Sequence, residues 1–388
     1  MKKLSILAFL LVLTASITFT LLPQSKVTAT GKASVEWLEA QPVESESSFS
    51  RVYEPQEMLF PRDLGSHDDY QTEWWYYTGN LESDSGRPFG FQLTIFRRAL
   101  TPDTAVFNES SSWRSNQVYF AHFTVSDVEE ESFYFKERFS RGAAGLAGAK
   151  ASPYQVWLED WSATEIAPGQ VQLVAKTDDV ALNVTLQETF PPILQGDRGY
   201  SVKGPEPGNA SIYYSIIQQQ TEGTVTVGEE TYAVTGLTWK DHEYSTSSLS
   251  PGTLGWDWFS LQFDQGTALM LYVLRKEDGT IAPSSAGNFI SREGEVIPLK
   301  SDDWQLEVLD TWKSPTSKGE YPSQWKLSIP QLDLTLTGKP MMANQELNLS
   351  TTYWEGAVEF QGQQQEQSVQ AKGYVEMTGY TKGLDTVL

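Results

Sequence analysis

His67-Asp68-Asp69-Tyr70-Gln71-Thr72-Glu73-Trp74-Trp75-Tyr76-Tyr77-Thr78-Gly79-Asn80-Leu81 leads from a polar turn into four consecutive aromatic residues, and Phe89-Gly90-Phe91-Gln92-Leu93-Thr94-Ile95-Phe96-Arg97 follows. Aromatic and β-branched residues in short runs bounded by Gly, Pro, Asp or Ser are a strand pattern. Successive strand residues point to opposite faces, so both faces of 74–77 carry large rings. At least half of those rings must pack as core or as contact between barrels. The same texture recurs at 118–125, 171–176, 180–186, 211–217, 232–239, 256–263, 268–274, 304–309, 325–329, 332–336, 357–360 and 370–378. No stretch after residue 29 shows helical periodicity. So many antiparallel strands must close or stack to hide their edges, and the fold class is therefore all-β.

Composition supports this reading and removes several functions. A chain of 388 residues with 39% hydrophobic content can build two or three cored domains. Its 13 Trp, 17 Tyr and 18 Phe both favour strands and line apolar pockets. With 28 Lys+Arg against 50 Asp+Glu, the net charge of −22 gives no electrostatic drive toward nucleic acid or anionic membrane. The absence of cysteine excludes disulfides, thiolate metal sites, iron–sulfur clusters and cysteine catalysis. No Gly-rich phosphate loop, Gly-x-Ser-x-Gly elbow or metalloprotease helix occurs, so nucleotide and hydrolase functions have little support.

Residues 1–29 read as a signal peptide: Lys2 and Lys3 precede the uncharged run Leu4 to Leu22, and Val27-Thr28-Ala29 offers a small-residue cleavage point. Export to the periplasm or outside the cell is expected, with no stable membrane insertion after cleavage. The apolar run is also long enough to span a bilayer, which leaves an N-terminal membrane anchor as the alternative. A Ser- and Glu-rich leader occupies 30–65. The turn-rich stretch 245–255 then divides an N-terminal unit, 66–246, from a C-terminal unit, 247–388.

The two strings quoted at the outset resemble the opening of the carotenoid 1,2-hydratase family, also called AttH-like. Further matching strings are Trp239-Lys240-Asp241-His242-Glu243-Tyr244, Gly255-Trp256-Asp257-Trp258-Phe259, Leu269-Met270-Leu271-Tyr272-Val273-Leu274-Arg275, Tyr353-Trp354-Glu355-Gly356-Ala357 and Gly373-Tyr374-Val375-Glu376-Met377-Thr378-Gly379-Tyr380. The resemblance covers 67–380 and implies two tandem lipocalin-like antiparallel β-barrels. Members of this wider family include hydratases of isoprenoid double bonds, other hydro-lyases, cyclases that guide pericyclic ring closure, and secreted proteins of unassigned role.

Hydrating an isoprenoid double bond requires a proton donor, a dry aromatic wall and a delivered water, and needs no cofactor or metal. If 239–244 is a regular strand, Trp239, Asp241 and Glu243 share one face while Lys240, His242 and Tyr244 share the other. Asp241 and His242 therefore cannot both point into one barrel without a bulge. Asp257 shares a face with Phe259, Leu261 and Phe263, so it is the better candidate for a desolvated acid; its structural alternative is an ion pair with Arg275 or Lys240. The catalytic candidates are thus Asp257, His242 and Asp241. Trp239, Trp256, Tyr272, Trp75, Glu73 and His122 are the ligand-binding candidates, with Glu73 read chiefly as a buried acid paired to Arg97 or Arg98. His67 beside Asp68 and Asp69 lacks an established metal-ligand spacing and reads as a polar turn.

Two functions fit this inventory: a cofactor-free hydratase, lyase or isomerase of an isoprenoid or other apolar polyene, and a carrier of a lipid or pigment without chemistry. In either case the expected partner is a hydrophobic small molecule. Intact mass of the protein recovered from the cell envelope is expected to begin at Thr30. Recovery of only full-length chain in the membrane fraction would instead support the anchor.

Overall fold

The computed structural model describes residues 48–102, 115–247 and 249–381; the expected signal segment lies outside them. Each run with strand texture falls on a strand, with Trp304, Leu332, Asp333 and Thr378 just beyond strand ends. The first sheet comprises β1 (Thr72–Ser83), β2 (Pro88–Ala99), β3 (Gln117–Asp127), β4 (Ser132–Arg141), β5 (Ala147–Ala151), β6 (Tyr154–Leu158), β7 (Trp161–Ala167), β8 (Gln170–Lys176), β9 (Val180–Glu188), β10 (Ile193–Leu194), β11 (Tyr200–Val202), β12 (Ala210–Val227) and β13 (Glu230–Ser245). Their order is β4-β3-β2-β1-β13-β12-β9-β8-β7-β6-β5, with β10 and β11 added on β12. The second sheet comprises β14 (Thr253–Phe263), β15 (Ala268–Lys276), β16 (Ala286–Ile290), β17 (Val296–Lys300), β18 (Gln305–Lys313), β19 (Glu320–Ile329), β20 (Leu334–Pro340), β21 (Glu346–Asn348), β22 (Thr352–Gln364) and β23 (Gln367–Met377). Its order is β17-β16-β15-β14-β23-β22-β20-β19-β18, with β21 on β22. The first sheet curls into a nearly closed barrel in which β6 reaches β2, β3 and β4, and the second forms a half-barrel. Among the described residues no helix is long and apolar enough to cross a membrane.

Strand alternation sorts the side chains into three cores. Trp75, Tyr77, Phe91, Leu93, Ile95 and Phe123 fill the first barrel, while Phe259, Leu261, Leu271, Trp325 and Phe360 fill the concave side of the second sheet. The intervening residues Tyr76, Trp239, Trp258, Met270, Tyr272 and Tyr374 form a third core between the two sheets. Gly90 on β2 marks a close approach, because a Cβ there would lie 2.8 Å from the Ala357 Cβ and 3.0 Å from the Tyr374 hydroxyl. Hydrogen bonds from Asn80 Nδ2 to the Gly373 carbonyl (3.0 Å) and from Ser126 Oγ to Gln345 Oε1 (2.6 Å) fix the pairing of the sheets. Residues 49–65 close one end of the first barrel. Val52 packs with Tyr70, Ile212 and Tyr244, and the Leu64 carbonyl accepts from Trp75 Nε1.

The barrel interior also holds a lysine. Lys240 is almost fully buried, with its ammonium over the rings of Tyr154 (4.2 Å), Tyr214 (5.6 Å) and Tyr77 (5.7 Å). Burial lowers its pKa to about 8, against the opposing pull of Glu188. Between that value and the ordinary 10.5 the unfolded chain binds more protons than the folded one, so this group makes stability rise with pH across the window. Lys240→Met is therefore expected to stabilise the protein by on the order of 1–3 kcal/mol near pH 7, with the gain shrinking as pH rises from about 8 to 10.5. Chemical denaturation of both proteins at several pH values checks this; a gain independent of pH would refute it.

Candidate active site

Register places two rows of side chains opposite one another. Across the outer face of the first sheet, Glu137, His122, Thr94, Tyr76, Asp241 and Ser215 are successive cross-strand partners on β4, β3, β2, β1, β13 and β12. Across the facing surface of the second sheet the row is Tyr272, Trp258, Glu376 and Glu355 on β15, β14, β23 and β22. The rows meet where the Tyr76 hydroxyl donates to Glu355 Oε1 at 2.6 Å and where Trp258 Nε1 donates to the Tyr213 hydroxyl at 3.1 Å. Beside this junction lies a cavity of about 210 Å³, walled by Trp74, Tyr76, Phe96, Phe120, Trp256, Trp258, Tyr272 and Leu274. It sits between the sheets, because each sheet's concave side is already filled by its own core.

Three carboxyl groups line this apolar space: Asp241, Glu355 and Glu376. Glu355 and Glu376 stand directly opposite one another on paired strands, where like charges repel. Burial, reinforced by the Glu376 neighbour, pushes the Glu355 carboxyl well above its ordinary range, and burial raises Glu376 to about 7. One Glu355 oxygen accepts from Tyr76; Oε2 is buried with no protein partner. Asp241 is also pushed up to about 7 by burial, despite three donors: Ser215 Oγ (2.5 Å) and Trp239 Nε1 (2.7 Å) on Oδ1, and the Tyr213 hydroxyl (2.6 Å) on Oδ2. His122 reaches the cavity from the first sheet, with Nδ1 2.7 Å from the Tyr353 hydroxyl and Nε2 3.1 Å from Glu137.

Of the residues singled out in the sequence, Asp241, His122, Trp256, Tyr272 and Glu73 border this cavity. Trp239 backs it by donating to Asp241. His242 and Trp75 point the other way, into the first barrel, where their rings stack 4.8 Å apart. Asp257 stays apart as well: it ends the inward row of Phe259, Leu261 and Phe263, accepts from Arg275 Nε at 2.9 Å, and is capped by the Tyr380 hydroxyl. The carboxylate of Glu73 faces away from the cavity. Its Oε2 accepts from Arg97 Nε (2.7 Å), and its Oε1 lies 2.8 Å from both His67 Nδ1 and His242 Nε2. His67, Glu73 and His242 thus present ligand atoms within 4.8 Å of one another, a spacing that could hold a metal. Arg97 and the two imidazoles already satisfy the carboxylate without one, while Tyr214 and Asp63 engage the other ring nitrogens.

A model of the AttH-like family matches residues 51–380. The chain belongs to the AttH-like family. Among solved structures, an AttH from Nitrosomonas europaea is 30% identical with a TM-score of 0.75, over 86% of this chain and 100% of that one. Kievitone hydratase from Nectria haematococca shares the fold at a TM-score of 0.66 and 14% identity, over 87% and 97% of the two chains. Among curated proteins, the dehydratase asqC of Emericella nidulans is 24% identical over 210 residues, covering 51% of this chain and 58% of that protein. Kievitone hydratase of Fusarium solani subsp. phaseoli is 23% identical over 222 residues, covering 54% and 59%. The match thus spans less than two thirds of the length of these curated relatives.

In this AttH-like chain the acids that sequence reasoning passed over are Glu355 and Glu376. Both lie in strings that carry the family resemblance, and the available signal was their position among aromatic residues, Tyr353-Trp354-Glu355 and Tyr374-Val375-Glu376. Their mutual opposition depends on the register of the β22–β23 hairpin, set by the two-residue turn at Gln365-Glu366, which lacks the Asn-Gly or Asp-Gly signature of such turns.

The Glu73 cluster is a structural support for β1. Burial alone raises the carboxyl, but Arg97 and the two histidines outweigh it and hold Glu73 below its ordinary 4.5. Its contribution is therefore present above pH 4.5 and lost as pH falls further toward the folded-state value. Arg97→Met, which strands a buried carboxylate, is expected to cost about 3–5 kcal/mol at pH 7 and to flatten the acid limb of the stability profile. Denaturant titrations from neutral to acid pH check both effects; a loss below about 1 kcal/mol would show that Arg97 is dispensable.

Proposed function

We propose that this protein is a cofactor-free hydro-lyase, adding water to or removing it from an apolar unsaturated substrate of isoprenoid type in the cavity between the two sheets. The observation that carries the reading is Glu355: a fully buried acid, held neutral, with one oxygen engaged by Tyr76 and the other free beside an aromatic wall. Family membership supports it, as do the relatives named a dehydratase and a hydratase. In the hydration direction Glu355 transfers its proton to one alkene carbon, forming a C–H bond and leaving positive charge on the neighbouring carbon. The faces of Trp258 and Tyr76 stabilise that charge. Asp241 in its carboxylate form takes a proton from water as the water oxygen bonds to the cationic carbon. Return of that proton from Asp241 to Glu355 resets the site, and the reverse sequence is dehydration. The differing environments of the two groups assign the roles: Asp241 receives three hydrogen bonds and ionises near neutrality, whereas Glu355 receives one and keeps its proton.

The cavity, at about 210 Å³, is smaller than the roughly 300–1,000 Å³ of sites for drug-sized ligands. It fits a compact prenylated molecule or the reacting end of a longer polyene. Export, expected from residues 1–29, would place this chemistry outside the cytoplasm. The test is to incubate the protein with prenyl alkenes and the matching tertiary alcohols in isotopically labelled water and to follow label uptake by mass spectrometry. Glu355→Gln is expected to lower turnover by about 10²–10⁴-fold while ligand binding persists, and wild-type kcat/KM is expected to climb as pH rises through about 7 and Asp241 ionises. Tight binding of these compounds with no label uptake would favour a carrier.

A further inference from the structure

The hydroxyls of Tyr213 and Ser215, which contact Asp241, are themselves held by donors, one from the second sheet directly and one through a residue of the first that the second sheet contacts. Trp258 Nε1 donates to the Tyr213 hydroxyl at 3.1 Å. An indole N–H can only donate, so the Tyr213 proton is left to point at Asp241 Oδ2, 2.6 Å away. On the other oxygen, Asn288 Nδ2 donates to Gln195 Oε1 at 2.5 Å, Gln195 Nε2 donates to Ser215 Oγ at 2.8 Å, and Ser215 Oγ donates to Asp241 Oδ1 at 2.5 Å. Asn288 lies on β16 of the second sheet, and Gln195 follows β10 of the first. Gln195, Asn288 and Ser215 are buried, and none of them lines the cavity.

We propose that Gln195, Asn288 and Trp258 are positioning residues, which carry one-way hydrogen bonds from the second sheet through Ser215 and Tyr213 and so lock Asp241 as a hydrogen-bond-accepting carboxylate. The assignment rests on Asp241 serving as the base of the proposed reaction. Its physical content is separate: a chain of donors with fixed direction stabilises the ionised form, and burial opposes it. The docking of the second sheet thereby sets the charge state of a group on the first. The titratable groups that face Asp241 are Tyr213 on β12, Tyr76 on β1, Glu376 on β23, Glu243 on its own strand and Lys203 just after β11. None of these is altered by a substitution at Gln195.

The experiment is a pH titration of the Asp241 side-chain carboxyl by carbon NMR on aspartate-labelled full-length protein, with the resonance assigned by its loss in Asp241→Asn. Gln195→Met keeps the volume but removes both hydrogen bonds of the relay, and is expected to raise the Asp241 midpoint by about one pH unit. Gln195→Glu, which cannot donate as a carboxylate, should raise it at least as far. Trp258→Phe, which keeps a ring but loses the N–H, should move the midpoint in the same direction. Circular dichroism and melting temperature establish that each variant is folded; should Gln195→Met fail to fold, Asn288→Ala reads the same chain one link further away. Unchanged midpoints in folded variants would overturn the proposal even if the protein proves to be a hydro-lyase. Shifted midpoints would uphold it even if no substrate is ever turned over.

Discussion

Burial of both faces of the strands around β1 and β13 is the constraint on which the rest of the structure depends. One face of these strands forms the core of the first barrel and the other meets the second sheet, so neither can be left to water. A half-exposed strand alternates apolar and polar residues, whereas a strand covered on both sides carries a continuous buried run. Trp75 to Leu81 is such a run: Trp75 and Tyr77 enter the barrel, and Tyr76, beside the half-buried Trp74, faces the other sheet. The same logic explains why Trp239 to Ser245 is buried residue after residue although it contains Lys, Asp, His and Glu.

Placing so many ionisable groups in these layers requires each to be neutralised, and the molecule does this in two ways. Glu73 with Arg97, and Asp257 with Arg275, are ion pairs completed by further hydrogen bonds. Such pairs hold strands in register; burial still raises the Asp257 carboxyl despite Arg275, but Asp257 does not line the cavity. Asp241, Glu355 and Glu376 have no cation at ion-pair distance among the described residues, and burial raises all three. All three line the cavity, which Glu73 also borders although its carboxylate is engaged by Arg97, His67 and His242. Glu346 is also buried without a cation at ion-pair distance among the described residues, but it lies outside the cavity and is held by Ser314, Ser317, Tyr321 and Asn348. What marks the site acids is therefore the lack of a cation together with a place on the cavity wall, a distinction that composition cannot make in a chain with 50 acidic residues.

The fold was legible because the strong strands announce themselves by runs of aromatic and branched residues. Strands that escaped notice have weaker patterns for physical reasons. β4, Ser132–Arg141, is only half-buried along its length, and β5, Ala147–Ala151, is Ala-Gly-Ala-Lys-Ala, with little side chain to signal burial. Within the site, alternation separated Asp241 from His242, and the structure turns them to opposite faces. It also grouped Asp257 with Phe259, Leu261 and Phe263, but the same alternation cannot say which face holds a cavity. The inward face of β14 is a filled core, and the open space lies on the side of Trp258. Glu355 and Glu376 become a pair only through the antiparallel register of the β22–β23 hairpin, which the two-residue turn at Gln365 and Glu366 sets.

Their opposition is informative about purpose. A buried carboxyl oxygen without a partner costs free energy, and replacing such groups with apolar residues of similar volume is often neutral or stabilising. If Glu355 served only to join the sheets, one hydrogen bond from Tyr76 would be a poor return for a desolvated acid beside a second one, and a branched aliphatic residue would fill the same space between Trp258 and Tyr76 with less strain. The arrangement makes physical sense when the free Oε2 is offered to something that enters the cavity, because only then does the desolvation of Glu355 become an asset: a neutral acid in an apolar enclosure delivers its proton without competition from water. The stability lost at this junction is offset by the broad apolar contact of the third core, so the interface that holds the sheets together is also what keeps the acid dry.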